Sequence, residues 1–330
     1  MLADLAREKY ILDFIRTKVF SLKILVIGDM ILDGYLYGDV ERISPEAPVP
    51  INHVVRRKKT LGGAANVANN LASLGCKTTV FGVIGEDHYA DTLRGLMQQM
   101  NINDTGLLIG RESTTTKIRI VSNNQQMMRL DFEETAPVDD NIEKEMIAAI
   151  HKSIWDNVDA VIISDYKKGV CTPTVCQQVI SIAHEANIPV FVDPKGKDWD
   201  KYLGADYITP NVKEFGDVLG MKLKNTDSDI DCVANQIRQQ YKIGTLVVTR
   251  SEKGMSLYSD ADTIHMPTVA QEVYDVSGAG DTVISVLAAA IASKLSLEKA
   301  SYVANLAAGI EVSKAGTYAV KNNELSAALI

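Results

Sequence analysis

The sequence predicts an α/β protein built on a doubly wound, mostly parallel sheet flanked by helices, with a small β-sheet outside it. Three observations predict this. Short apolar runs recur along the chain without the alternation of half-exposed strands, amphipathic helical stretches separate them, and two segments break the rhythm with hairpin-like patterns. With 330 residues, 46% of them hydrophobic and 23% charged, the chain is long enough to bury one large core of this kind.

The elements follow in order. Residues 1–20 scatter Asp4, Glu8 and Asp13 through an amphipathic pattern, unlike the uninterrupted apolar core of a signal peptide. The first strand is Lys23-Ile24-Leu25-Val26-Ile27-Gly28. Residues 35–59 depart from the βα rhythm, with turn-forming Ser44-Pro45-Glu46-Ala47-Pro48 before a strand candidate at 50–55. A helix over 65–74 carries Val67, Leu71 and Leu74 on one stripe, and a strand follows at 79–84. Residues 114–132 read as a hairpin around Ser122-Asn123-Asn124-Gln125. Then come a helix over 142–155, strands at 160–164, 189–193, 206–210 and 245–249, a helix over 283–294 and a short helical signal at 323–329. The two irregular segments, about 35–59 and 112–133, are expected to pair into a lid whose exposed apolar face a second subunit covers, giving a homodimer.

A net charge of -8 argues against a nucleic-acid partner, which would need a basic footprint. It leaves room for an anionic substrate where lysines, arginines and a divalent cation supply a local positive field. No apolar run approaches the roughly 20 residues that span a membrane, so no membrane partner is expected. Cys76, Cys171, Cys176 and Cys232 fit no zinc spacing and are too few for a disulfide framework, which points to reduced thiols in the cytoplasm.

The chemistry concentrates in Tyr274-Asp275-Val276-Ser277-Gly278-Ala279-Gly280-Asp281-Thr282, immediately before a strongly helical stretch. Small residues let a ligand approach, and the amides of a helix's first turn attract phosphate. Asp281 among those amides is placed to take a proton from an attacking hydroxyl. The plainer alternative is a cap and loop before a buried helix. Asp33, shortly after the first strand, and Gly62, Gly63 and Asn66 at the opening of the next helix can converge on a small polyol; alternatively they are ordinary loop and helix-surface residues. Asn211 and Glu214 read either as a capped helix start or as holders of water-ligated Mg²⁺. Lys195, in Asp193-Pro194-Lys195 after a strand, can counter a phosphate or remain an unpaired loop lysine.

Together, Gly62-Gly63-Ala64-Ala65-Asn66, Asn211-x-x-Glu214 and Asp275-Val276-Ser277-Gly278-Ala279-Gly280-Asp281 resemble the ribokinase (carbohydrate kinase PfkB) family, in that order and over essentially the whole chain. Four further segments narrow the resemblance to the D-glycero-D-manno-heptose 7-phosphate kinases: 38–50, Met128-Arg129-Leu130-Asp131-Phe132-Glu133, Ser164-Asp165-Tyr166-Lys167-Lys168-Gly169 and Thr249-Arg250-Ser251-Glu252-Lys253-Gly254-Met255. The resemblance implies a ribokinase-like fold and ATP-dependent phosphorylation of the anomeric hydroxyl of heptose 7-phosphate, toward surface polysaccharide precursors. It further implies that Asp281 is the base, with the amides of Gly278, Ala279 and Gly280 stabilising the transferring phosphoryl. Asp33, Gly62, Gly63 and Asn66 would hold sugar hydroxyls, and Arg129, Lys168 and Lys195 are the candidates for the 7-phosphate. Asn211 and Glu214 would position Mg²⁺ and the phosphates. Thr249, Ser251, Gly254, Asp275, Asn305 and Gly316 would border the nucleotide; activation by a monovalent cation stays open.

One departure is Arg250-Ser251, where many ribokinase relatives have glycine early in the turn, so the adenine-side contacts are left unassigned. The expectation is a single kinase domain over 1–330. Some relatives are fused to a C-terminal nucleotidyltransferase domain, so a piece of a bifunctional protein is the alternative. Another ribokinase-type sugar kinase, or a non-catalytic nucleotide- and sugar-binding regulator, would share most of these motifs.

Overall fold

The computed structural model describes residues 9–123, 125–270 and 272–329; Asp4, Glu8 and the turn residue Asn124 of the sequence reading lie outside them. Elements are numbered along the chain. The run Lys23–Gly28 forms β1, and its side chains alternate between two cores, Ile24 and Val26 on one face, Leu25 and Ile27 on the other. Burial on both faces explains why the strand reads as an unbroken apolar run.

The main sheet has nine strands, of which the expected segments supply β1, β4 (Lys77–Gly85), β8 (Ala160–Ser164), β9 (Val190–Asp193), β10 (Tyr207–Ile208) and β11 (Thr245–Thr249). Beyond these it adds β5 (Asn103–Arg111), β12 (Met255–Tyr258) and β13 (Thr263–Met266). The order is β13-β12-β11-β10-β9-β8-β1-β4-β5, parallel except where β11, β12 and β13 meander antiparallel at one edge. One face is covered by α1 (Lys9–Arg16), α2 (Ala64–Leu74), α3 (His88–Gln99), α8 (Ala279–Ala292), α9 (Leu297–Val312) and α10 (Asn322–Ala328). The other is covered by α4 (Asp140–Ile154), α5 (Pro173–Glu185), α6 (Val212–Leu219) and α7 (Asp227–Gln240). No helix among the described residues is long and apolar enough to cross a membrane.

Register sets the position of the site. Gly28 pairs with Ser164, Ser164 pairs with Asp193, and Asn211 bridges to Thr249, so the carboxyl ends of β1, β8, β9, β10 and β11 finish in one row. The order reverses about β1, and ligands of doubly wound sheets bind at that edge.

The chain leaves β1 directly into a second sheet of order β3-β2-β6-β7, made of β2 (Met30–Ile43), β3 (Pro50–Gly63), β6 (Thr116–Ser122) and β7 (Gln125–Phe132). Its longest strands exceed the sequence reading because their inner ends, Met30 to Leu32 and Leu61 to Gly63, are buried against the main core. Consequently Asp33, Gly62 and Gly63 belong to paired strands, in place of a loop and a helix start. The outer part exposes Val55, Met128, Leu130 and Phe132.

Candidate active site

A pocket of about 160 Å³ opens at the carboxyl edge, lined by the strand-end residues Asp165, Asp193, Thr209 and Thr249, by Tyr166, Lys195, Asn211 and Glu214, and by Gly278, Gly280 and Asp281. A wider hollow of about 720 Å³, bordered by His184, Asp206 and Lys294, lies at the amino ends of β9 and β10. Fold logic places chemistry at the first.

Gly278 is the N-cap of α8, with φ at 103°, a conformation that strains any residue with a Cβ. The turn it makes starts the helix at Ala279, so Ala279, Gly280 and Asp281 occupy the first turn, where amides lack intrahelical acceptors. Asp281 is buried; Asn66 Nδ2 donates to its Oδ2 at 2.7 Å and the Tyr166 hydroxyl donates to its Oδ1 at 2.7 Å. Burial pushes its carboxyl up to about 6 despite those two bonds, with Asp33 adding to the rise and Lys195 opposing it. A carboxylate aimed, dry and poised near neutrality is suited to general-base work.

On the side of the second sheet, Arg119 Nη1 donates to Asp33 Oδ1 at 2.6 Å and fixes it beside Gly62. A Cβ on Gly62 would stand 2.2 Å from Asp33 Oδ2, so glycine is required for this approach. Asn66 spends its amide on Asp281, while its buried Oδ1 has no partner among the described residues. That orphaned acceptor matches a ligand hydroxyl. Lys168 pairs with Glu133 at 2.7 Å, and Arg129 lies on an exposed strand, paired with Asp131 at 2.7 Å.

On the opposite side, Asn211 and Glu214 form a capping box: Asn211 Oδ1 accepts from the Glu214 amide at 2.9 Å and Glu214 Oε2 from the Asn211 amide at 3.0 Å. Glu214 Oε1 also accepts from Lys195 Nζ at 2.5 Å. The capped helix start of the sequence reading is present, and both residues line the pocket. Asp193 is held well above the usual carboxylate range by burial, then by Glu214 and Asp281. Thr249 borders this side, Ser251 takes the left-handed conformation at φ 53°, and Gly254 closes the same turn. The unexpected Arg250 turns inward, donating to Asn225 Oδ1 at 3.0 Å, Asp227 Oδ1 at 2.5 Å and Ser256 Oγ at 2.9 Å, and so braces the turn. Asp275 accepts from the amides of Ser277 at 2.9 Å and Gly316 at 3.0 Å, which hold it below its ordinary range against burial. Asn305 donates to the Pro267 carbonyl at 2.7 Å, tying α9 to the strand below.

Several neighbours were not assigned from sequence. Asp29 is buried and accepts from the amides of Tyr166, Lys168 and Val170 at 2.8, 2.9 and 3.1 Å, which builds the loop that carries Tyr166. Asp165 anchors that loop through Lys201, the Lys167 amide and Tyr202. The signal for both was position, each standing immediately after a buried strand. Glu311 lies wholly buried below Gly278, neither oxygen making a hydrogen bond of ordinary geometry, and burial pushes it up to about 8.

A buried carboxylate in the amide-rich first turn of a helix, facing a strand-edge pocket, fits a phosphotransferase acting on a sugar hydroxyl. Residues 21–324 match the pfkB family carbohydrate kinases, and the chain belongs to that family. It is 45% identical over 303 residues to the bifunctional protein HldE of Methylobacillus flagellatus, covering 92% of this chain and 62% of that protein. The HldE proteins of Actinobacillus succinogenes and Trichlorobacter lovleyi are 44% and 45% identical over 93% and 94% of this chain and 63% of each relative. The chain thus spans less than two thirds of the length of these relatives. Among solved structures, Arabidopsis thaliana ribokinase complexed with ribose and ATP superposes with a TM-score of 0.74 at 19% identity, covering 94% of this chain and 99% of that one. Phosphofructokinase-2 of Escherichia coli in complex with potassium gives 0.75 at 18%, with the same coverage. These establish a ribokinase-like fold.

Proposed function

We propose that the protein uses ATP to phosphorylate the anomeric hydroxyl of an aldoheptose 7-phosphate, D-glycero-D-manno-heptose 7-phosphate, in the cytoplasm as a step toward surface polysaccharide precursors. The observation that carries the chemistry is Asp281, held by Tyr166 and Asn66 at the first turn of α8 and lifted to about 6. The heptose assignment rests on the HldE relatives together with the resemblance of the sugar-side segments. Asp281 takes the proton of the hydroxyl as its oxygen attacks the γ-phosphorus of ATP; the bond to the β-phosphate oxygen breaks and ADP leaves. Amides of Gly278 to Asp281 receive the negative charge on the transferring group. Asp33, Gly62, Gly63 and Asn66 orient the sugar, and Thr249, Ser251, Gly254, Asp275, Asn305 and Gly316 border the nucleotide.

The donors on the nucleotide side fit a divalent cation. Glu214 and Asp193 line one wall of the pocket, where burial first, and then the charges of Glu214 and Asp281, raise Asp193. Glu214 and Asn211 would hold Mg²⁺ through water, and the ion when bound neutralises phosphate charge. The second sheet acts as a lid, and a second copy of the chain covers its exposed Val55, Met128, Leu130 and Phe132. A light-scattering mass of one chain would remove that dimer. Phosphorus NMR of the reaction product tests the main reading: a new phosphate on the anomeric carbon supports it, and phosphorylation at any other hydroxyl overturns it.

A further inference from the structure

Arg111 is the last residue of β5, and only 7% of its side chain is exposed. One nitrogen, Nη2, donates to the Ala136 carbonyl at 2.7 Å and to the Lys168 carbonyl at 2.8 Å, while Nη1 stands 3.7 Å from Glu134 Oε2. Ala136 lies in the segment that carries the chain from β7 of the second sheet to α4. Lys168 lies in loop 165–170, which follows β8 and carries Tyr166. The Val138 amide donates to the Gly169 carbonyl at 3.0 Å and completes the joint. It is tightly closed, because a Cβ on Gly169 would run into the Ala136 carbonyl oxygen and stand 2.6 Å from Arg111 Nη2.

Loop 165–170 has a shape that needs outside support. Lys167 takes the left-handed conformation at φ 58°, unfavourable for a residue with a side chain, and such residues persist where their surroundings over-determine them. Asp29 holds the loop to the main sheet through the amides of Tyr166, Lys168 and Val170, and Asp165 holds it through the Lys167 amide. Arg111 supplies the tie on the outer side. The loop presents the Tyr166 hydroxyl, which donates to Asp281 Oδ1 at 2.7 Å, a bond that a displacement of about 1 Å would break.

We propose that Arg111, which does not line the pocket, is a positioning residue for the catalytic base: it locks loop 165–170 to the chain leaving the second sheet and so keeps the Tyr166 hydroxyl on Asp281. This rests on the reading of Asp281 as base and connects that base to the second sheet. The Tyr166 bond favours the ionised carboxylate, so a loosened loop leaves Asp281 with the Asn66 amide and makes it hold its proton to a higher pH. Arginine suits the joint because its guanidinium stays charged and can send two N–H donors from one nitrogen to two carbonyls.

The test uses the full chain with Arg111→Gln, Arg111→Met, Arg111→Lys, Tyr166→Phe and the double variant Arg111→Gln/Tyr166→Phe. The first readout is the titration midpoint of the Asp281 carboxyl carbon, by NMR of aspartate-labelled protein, its signal identified by its loss in Asp281→Asn. The second is the midpoint of the acid limb of kcat/KM. Tyr166→Phe removes one hydrogen bond to a charged group and is expected to raise the carboxyl midpoint by about one pH unit from about 6. Arg111→Gln and Arg111→Met raise it by no more than that, Arg111→Lys recovers part of the shift, and the double variant titrates where Tyr166→Phe does. The loss of the Arg111 charge acting directly on Asp281 would instead add to the Tyr166→Phe shift, and that additivity would overturn the proposal. An unmoved midpoint in the Arg111 variants would overturn it too; Arg111→Lys, which keeps a cation in the joint, serves if the neutral variants fail to fold. A carboxyl midpoint that moves while the acid limb stays would remove Asp281 as base and leave the positioning role of Arg111 standing.

Discussion

Replacing Asp281 by Asn is a nearly isosteric change that the site can accept. The new Oδ1 can take the Asn66 amide, and the new Nδ2 can donate to the Tyr166 hydroxyl oxygen, which reverses that bond and turns the Tyr166 proton away from residue 281. Only the base is removed, and the chemical step should slow by about 10²- to 10⁴-fold with ATP affinity nearly unchanged. Stability should move the other way. A carboxyl lifted from 3.8 to about 6 is disfavoured as an anion by about 3 kcal/mol at 1.36 kcal/mol per tenfold. The folded form holds its proton up to about pH 6 while the unfolded chain releases it near 3.8, so the penalty grows across that window and is complete above it. Asp281→Asn therefore unfolds at higher temperature than wild type at pH 8, and the margin vanishes near pH 4. In wild type, kcat/KM should fall tenfold per pH step below about 6, and the variant should lose that limb. Single-turnover kinetics and thermal melts across pH supply the assay. Turnover within tenfold of wild type, with the acid limb retained, would refute the assignment of Asp281 as base.

Three other outcomes are expected. Gly62→Ala sets a Cβ against Asp33, which must move; sugar KM should rise at least tenfold with a stability loss of about 1–3 kcal/mol, checked by kinetics and denaturant melts. Glu214→Gln should raise the Mg²⁺ concentration needed for half-maximal rate several-fold, whereas an unchanged titration would leave Glu214 with only its capping role. Glu311→Gln should gain stability over wild type progressively between pH 4.5 and 8, by about 5 kcal/mol at the top, because the native carboxyl stays protonated to about 8; equal margins at both ends of a thermal-melt series would contradict this.

The strands that read clearly were those buried on both faces, such as Lys23–Gly28, where an apolar run leaves little ambiguity. The edge strands Asn103–Arg111 and Thr263–Met266 mix exposed and buried positions, which blurs their pattern. Asp281 was legible because its glycine turn and helix are adjacent in sequence. Its partners were less so: Asn66 lies 215 residues away and Tyr166 lies 115 away, and only the fold joins them. Lys195 and Glu214 were each legible as charged residues after a strand, but their pairing emerges from the parallel register that aligns their strand ends. Lys117 and Arg119 look in sequence like the ordinary surface of a hairpin. Their common face toward Asp33 depends on β6 joining β2 in parallel across a long connection, which no local pattern encodes.

The most direct test of the account is ADP release by the purified protein with Mg²⁺ and ATP, offered heptose 7-phosphate, sedoheptulose 7-phosphate, fructose 6-phosphate, ribose or no sugar. Turnover confined to the aldoheptose phosphate is the predicted result. Preference for a different sugar, or ATP binding without turnover on any of them, would contradict it.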